Sequence, residues 1–533
     1  YNIESDAFAY RMMGDEKQLC FWEKGLLRFM LKKWICLMLC ITTLALPLLA
    51  CGADPAENVS APDTPDTSLT ASGGGTSAYV ADVPVVDLDG RVFRVLCRDY
   101  GYGSTSITGF NGEVIQRPDY DEATAGIGDQ AKAEVRRRVE ERYNCTIEGD
   151  FDHGTSTQFN DIIRNGVLSG SGTYDMVFDA YGYSSLLVTD NMYVDLNTIE
   201  SLNFDQPWWD QNAKEDLSID GKLYFMVGDI NTFDNDGTWV MLFNKDLKAD
   251  LGIEDDLYAL ARDGEWTFDK FTELCKGVTY DSNRDGVLDE FDTWGFATEK
   301  YNVFIHTLAA GENIVRKDEN DIPYFSFQTE TTYDALSKIL DFYMDTNTVM
   351  IADNGRFDNK GYTNIWEETI VKAFREGRAL FYCCGLMNVP GFRAMEDEFG
   401  ILPVPKTNPE QDSYYHSVSM TNMSALCIPN NATDYTELGY IIESLAAESK
   451  NTVTPAYYEK NLKYQSLTDD ESGEMLDIIF ATRSFDLGTV FDWGGILGHY
   501  MKIDTDFVSR FEAVYPVAQA ALEDTLEALE NLN

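Results

Sequence analysis

Arg91-Val92-Phe93-Arg94-Val95-Leu96-Cys97-Arg98 reads as a strand, and the elements that follow it decide the fold. Asp129–Tyr143 has the spacing and charge of an amphipathic helix, and Asn144–Gly149 reads as a second strand. Phe159–Ser169 reads as a helix and Tyr174–Phe178 as a short buried strand. Strands alternating with helices imply a parallel sheet covered by helices. The pattern restarts downstream, with strands at Trp239–Asn244, Ala379–Cys383 and Phe399–Pro403 and helices near Thr267–Thr279 and Tyr333–Asp345. Two such units, with a crossover near Gly228–Thr238, predict two lobes with a cleft between them. Ligands of parallel sheets bind beyond the carboxyl ends of the strands. Asp99, Tyr100, Asp179, Tyr181 and Tyr183 occupy such positions.

Composition narrows the class. The chain has 533 residues, 90 acidic and 41 basic, with a formal charge of −49. Such a surface repels nucleic acid and anionic headgroups. Histidine is limited to His153, His306, His416 and His499, which argues against multi-histidine zinc sites. There is no nucleophile elbow, phosphate loop or zinc motif. No catalytic residue is assigned. The ten cysteines show no CxxC pair and read mostly as small buried hydrophobes.

The amino terminus carries an export pattern. Met30-Leu31-Lys32-Lys33 precedes an apolar run, Trp34–Ala50, and then Cys51-Gly52. Leu48-Leu49-Ala50-Cys51 resembles a bacterial lipobox, in which the cysteine is diacylated and the signal is cut just before it. The apolar run has 17 residues, at the lower limit for a transmembrane anchor. The expected division is an over-extended front at 1–29, a lipoprotein signal at 30–50 and a flexible tether at 51–85. Ser72-Gly73-Gly74-Gly75-Thr76 typifies the tether, and about 30 such residues reach roughly 30 Å. The expected location is the outer face of a bacterial cytoplasmic membrane, held by lipid on Cys51.

Four segments resemble the family 1 extracellular solute-binding proteins of ABC importers. They are Leu242-Phe243-Asn244-Lys245-Asp246-Leu247, Gly264–Phe271, Phe374–Phe381 and Phe399–Lys406. Phe243 replaces the family's usual tyrosine. Thr267 suits a helix cap and Gly377 a left-handed helix end. The resemblance implies a two-lobed α/β, periplasmic-binding-protein-like (type II) fold with a hinge and an interlobe cleft. It implies lobes at 86–232 plus 410–447 and 233–409 plus 448–533. It also implies a monomer that captures a carbohydrate and delivers it to ABC permease subunits.

Asp281-Ser282-Asn283-Arg284-Asp285-Gly286-Val287-Leu288-Asp289-Glu290-Phe291-Asp292 has the spacing of a calcium loop. Asp281, Asn283, Asp285, the Val287 carbonyl, Asp289 and Asp292 would supply oxygens, and Gly286 the turn. A structural calcium is expected there, with no other cofactor. The bland alternative is an acidic surface turn.

Sugar sites combine aromatic faces with carboxylates and amides. Asp99, Asp179, Tyr181, Asp234, Asp236, Trp239, Asn388 and Trp493 are the expected ligand contacts. Trp208 and Trp209 read as packing. A peptide or polyamine ligand stays open, as does a receptor that senses sugar. A glycosidase would need paired carboxylates, and among 90 acidic residues a pair carries no weight.

Overall fold

The computed structural model describes residues 78–99, 113–115, 117, 120–123, 125–421, 423–458 and 470–532. Cys51, the export segment, Tyr100 and most of the tether lie outside the described residues. Contacts group the chain into Tyr1–Gly75 and Thr76–Asn533, and everything below concerns the second unit.

The strands run in chain order from β1 (Arg91–Arg98), β2 (Cys145–Asp152) and β3 (Met176–Ala180) to β4 (Trp239–Asn244) and β5 (Trp294–Thr298). Then come β6 (Val315–Lys317), β7 (Pro323–Phe325), β8 (Val349–Ile351), β9 (Ala379–Gly385) and β10 (Phe399–Leu402). β11 (His416–Ser417), β12 (Ser424–Cys427) and β13 (Arg483–Ser484) close the series. Two main sheets result, in the orders β12-β3-β1-β2 and β10-β4-β9-β5-β8. In the first, β1 lies parallel to β2 from Arg91↔Cys145 to Arg98↔Asp152 and parallel to β3. β12 joins β3 antiparallel. In the second, β4 is antiparallel to β9 and β10, while β5 is parallel to β8 and β9. The fold is therefore mixed α/β, as the alternation predicts.

The helices form for local reasons. Ile127–Tyr143 buries Ala131, Val135, Val139 and Tyr143, four residues apart on one face, while Arg137 pairs with Glu134 and Glu141 on the other. Ser156–Ser169 starts with a capping box between Thr155 and Gln158 and ends at left-handed Gly170. Thr267 caps Phe268–Cys275, as its sequence context predicts. Gly377 has φ +73°, and a Cβ there would sit 2.3 Å from an Asp397 carboxylate oxygen. That turn feeds β9, whose seven residues are all buried.

The core of the second sheet is aromatic. The Trp266 indole is fully buried and donates to the Pro403 carbonyl at 2.8 Å, tying the helix start to the end of β10. Phe271 packs against Trp266, Phe296, Phe342 and Phe381. His306 sits among these rings with neither ring nitrogen hydrogen-bonded, and burial pushes its pKa down to about 3. A buried polar group without a partner costs about 1–3 kcal/mol. His306→Phe keeps the ring and removes that cost, so it should stabilise the fold by about 1 kcal/mol or more in urea denaturation. A destabilised variant would show that the imidazole is held by groups other than these rings.

The described cysteines are all free and buried, including the adjacent Cys383 and Cys384.

Candidate functional site

The parallel strands place their carboxyl ends at two edges. In the first sheet these ends carry Asp99 after β1 and Asp179–Tyr181 at the end of β3. In the second they carry Glu299 and Tyr301 after β5 and Asn388 after β9. Antiparallel β4 begins there too, because Trp239 pairs with Gly385 at the end of β9. The chain passes between the sheets at 228–238, and Thr238 bridges antiparallel to Val418 on a second crossing. Tyr181 reaches this crossing, donating its hydroxyl to the Val418 carbonyl at 3.2 Å. Its ring lies 6.5 Å from Phe225 and 6.4 Å from Phe485, and Trp239 lies 5.4 Å from Tyr301. The helix Tyr181–Thr189 packs on Leu487–Phe491 and Phe507–Glu530.

A crevice of about 300 Å³ opens beside the crossing. Asp210, Asp229, Asp234, Lys450, Tyr458 and Arg483 carry its chemistry, and the Trp209 and Phe480 rings lie in its walls. Asp210 caps the helix Gln211–Asp216 by accepting from the Ala213 amide at 2.9 Å. Arg483 then bridges the crevice: its guanidinium meets Asp210 at 2.8 Å and Asp234 at 3.0 Å, and also donates to the Asn235 side chain at 3.0 Å. Lys450 holds Asp229 at 3.1 Å. Burial raises the Asp234 carboxyl to about 7, although Arg483 pulls the other way. Trp208 and Trp209 are fixed from behind, their indoles donating to Glu443 at 2.7 Å and 3.0 Å. The crevice thus offers carboxylates, amides and aromatic walls suited to a hydroxyl-rich solute.

The structure brings together some of the expected residues and separates others. Asp234 lines the crevice, and Asp236 lies two residues on, bonded to Thr232 at 3.0 Å and to the Tyr457 hydroxyl at 2.9 Å. Tyr181 and Trp239 are buried beside it at the sheet edges. Asp179 is fully buried in an ion pair with Arg98 and accepts from Ser184 at 2.7 Å. Asp99 pairs with Arg117 and lies 3.2 Å from His153. The Asn388 side chain donates to the Gly385 carbonyl at 3.2 Å. Trp493 is buried, stacks on Phe491 at 4.8 Å and donates to Thr525 at 2.9 Å. Asp210, Tyr458 and Arg483 escaped the sequence reading, and Trp209, read as packing, is buried and also stands in the crevice wall. Only the Trp208-Trp209-Asp210 run carried a visible signal. Glu299 was also missed; burial raises its carboxyl to about 7, and it accepts from the Trp366 indole at 2.8 Å.

The calcium expectation finds no support in the structure. Among the described residues no group of three or more metal-ligating side chains converges. Asp281 accepts from the Arg284 and Gly286 amides at 2.6 Å and 2.8 Å. Asn283 and Asp285 accept from the amides of Asp285 and Val287, and Asp289 from that of Phe291. Asp292 is buried and accepts from Ser282 and Asp289 at 2.8 Å and 2.7 Å. Short acidic side chains two residues apart satisfy a turn's own amides in this way.

The chain belongs to a family described as bacterial extracellular solute-binding protein, whose profile matches residues 140–439. Among curated proteins none matches it. A cyclo/maltodextrin-binding protein complexed with maltotetraose is 10% identical, with a TM-score of 0.50 over 84% of this chain and 98% of that one. An ABC substrate-binding protein of Listeria monocytogenes in complex with cycloalternan is 12% identical (TM-score 0.48, 84% and 98% covered). UgpB of Mycobacterium tuberculosis in complex with glycerophosphocholine is 15% identical (TM-score 0.49, 75% and 97% covered). The chain thus has the two-lobed α/β fold of substrate-binding proteins. No helix among the described residues is long and apolar enough to cross a membrane.

Proposed function

We propose that this protein is the lipid-anchored solute receptor of an ABC importer and captures a sugar or oligosaccharide between its lobes. The observation that carries the reading is the crevice at the crossing, where Asp210, Asp234 and Asn235 converge on Arg483 beside aromatic walls. Buried carboxylates and amides discriminate hydroxyl patterns, because an unmatched polar group would stay unpaired. The lobes correspond to 86–232 plus 410–447 and 233–409 plus 448–533, and closure about the crossings presents the loaded form to the permease. Cys51 carries the lipid, and the tether to residue 85 gives the head its reach. Tyr181, Trp239 and Asp236, at the sheet edges and the crossing, join the ligand shell of the opened cleft. No bond is made or broken in this role.

A thermal-shift screen of mono- and oligosaccharides tests it. A ligand at a hundredfold excess over its Kd adds about 2.7 kcal/mol of stability, which raises Tm by several degrees. If no sugar moves Tm while a peptide or polyamine does, the carbohydrate assignment is wrong.

A further inference from the structure

One stripe of the helix Tyr435–Tyr458 stands behind the crevice. Glu443, Lys450, Thr454 and Tyr457 follow one another at intervals of seven, four and three residues, which keeps them on one helical face. Lys450 pairs with Asp229 at 3.1 Å, and the Thr454 hydroxyl donates to the same carboxylate. The Tyr457 hydroxyl donates to Asp236 at 2.9 Å. These three grip the crossing at 228–238, whereas Glu443 grips the crevice wall.

Glu443 is 2% exposed, and among the described residues no lysine, arginine or histidine pairs with it. Three N–H donors stand in for a cation. Oε1 accepts from the Asn203 amide at 2.7 Å and the Trp209 indole at 3.0 Å, and Oε2 from the Trp208 indole at 2.7 Å. Burying a carboxylate without a counter-charge is costly, and plain packing would be served as well by leucine. The run that Glu443 holds is pressed onto the crossing. The Asp229 amide donates to the Trp208 carbonyl at 2.8 Å, and the Asp210 amide to the Val227 carbonyl at 3.1 Å. A Cβ on Gly228 would lie 2.3 Å from the Trp208 carbonyl oxygen, so no side chain fits between the two segments. The Trp209 ring is thus fixed at its far end by Glu443, with Phe204 against it edge to face at 5.2 Å. The next residue, Asp210, carries the carboxylate that meets Arg483.

We propose that Glu443 is a positioning residue for solute capture. It lies behind the crevice wall, and by holding the Trp209 indole it sets the ring face and the Asp210 carboxylate that the solute meets. A wall already fixed loses no rotamer freedom when the solute arrives, so the affinity gained there is kept. The inference rests on the reading of the crevice as the solute site.

Calorimetry on the full mature chain tests it, with maltotetraose, cellotetraose and xylotetraose as probes. For a probe that binds the wild type, Kd should rise at least tenfold in Glu443→Leu. In Glu443→Gln it should stay within threefold of wild type, because the amide oxygen still accepts from Asn203 and Trp209. Tyr143→Phe removes a buried 2.9 Å bond to Ser444 on the same helix, and should lower Tm without changing Kd. A Kd in Glu443→Leu within twofold of wild type makes Glu443 structural only and overturns the proposal. So does a Glu443→Gln variant that binds as weakly as Glu443→Leu. Should Glu443→Leu not fold, Trp209→Phe replaces it, since it removes the indole N–H and keeps a ring; the same tenfold rise is expected and the same twofold limit overturns. If no probe binds the wild type, the carbohydrate reading fails and the Trp209 indole N–H signal in NMR spectra decides the positioning role. That signal should move in Glu443→Leu and hold in Glu443→Gln, and one unchanged in both overturns the role.

Discussion

Acidification from about pH 7.5 to about pH 5 should raise the melting temperature of this protein. Glu113, Asp216, Asp234, Glu299 and Asp486 are buried, and burial pushes each carboxyl up to about 7. A carboxyl raised in the folded state contributes stability that is complete below its unfolded pKa of about 4. That stability is lost as pH rises through about 7. His306 and His416 act in the opposite sense. Both are pushed down to about 3 by burial, so their contribution is complete above about 6.5 and is lost as pH falls toward 3. Between about pH 4.5 and 6.5 the raised carboxyls, joined by Asp492 at about 6, outnumber the two histidines. The native state then holds several more protons than the unfolded chain. Each is worth about 1.4 kcal/mol per pH unit, so the gain is several kcal/mol. Below about pH 4 the carboxyls are protonated in both states, the histidines dominate, and stability falls.

Scanning calorimetry from pH 4 to pH 8 checks this. A Tm that is flat, or higher at pH 7.5 than at pH 5, would sink the account. Glu299→Gln refines it, because the amide oxygen still accepts from the Trp366 indole. That variant should flatten the slope by about 1.4 kcal/mol per pH unit.

Asp179→Ala should be among the most damaging single changes, costing about 3–5 kcal/mol. Asp179 and Arg98 are 0% and 1% exposed and pair directly. The guanidinium lies over Phe159 at 4.4 Å and Tyr183 at 5.2 Å, and the carboxylate also accepts from the Ala180 amide at 2.8 Å. Removing Asp179 leaves Arg98 buried without its carboxylate. Replacing both partners at once, as Arg98→Met with Asp179→Leu, should recover much of the loss, because the pair's own attraction barely exceeds its desolvation cost. Urea denaturation of the two variants decides the matter. A single variant within 1 kcal/mol of wild type would mean that Arg98 is neutralised elsewhere.

Much of the fold was legible because its signals are local. Thr267 and Gly377 mark helix ends within a few residues of themselves. The alternation from Arg91 to Ala180 follows from hydrophobic period alone. The strands β5 and β8 were not read. Each is short and wholly buried, so it lacks the alternation that distinguishes a strand. The candidate site was legible only in part. Arg483 meets Asp210 and Asp234 across about half the chain, and no spacing rule joins residues so far apart. Asp99 and Asp179 do stand at strand ends, as the crevice rule requires, but each faces an arginine that the rule cannot see. The acidic loop is legible for the opposite reason: its pattern is local, and its side chains accept from the loop's own amides.

The first sheet is completed by β12, which enters beside β3 only after the whole second sheet has been laid down in sequence. Met226 also exchanges hydrogen bonds with Leu426 of that strand. A chain threading outward from its amino terminus therefore cannot finish its first half until residue 427 has emerged. Contacts of such long range are slow to form. The early part must wait with the edge of β3 uncovered until β12 arrives. A truncation before Ser424 would remove more than the tail: it would leave the first sheet permanently unfinished.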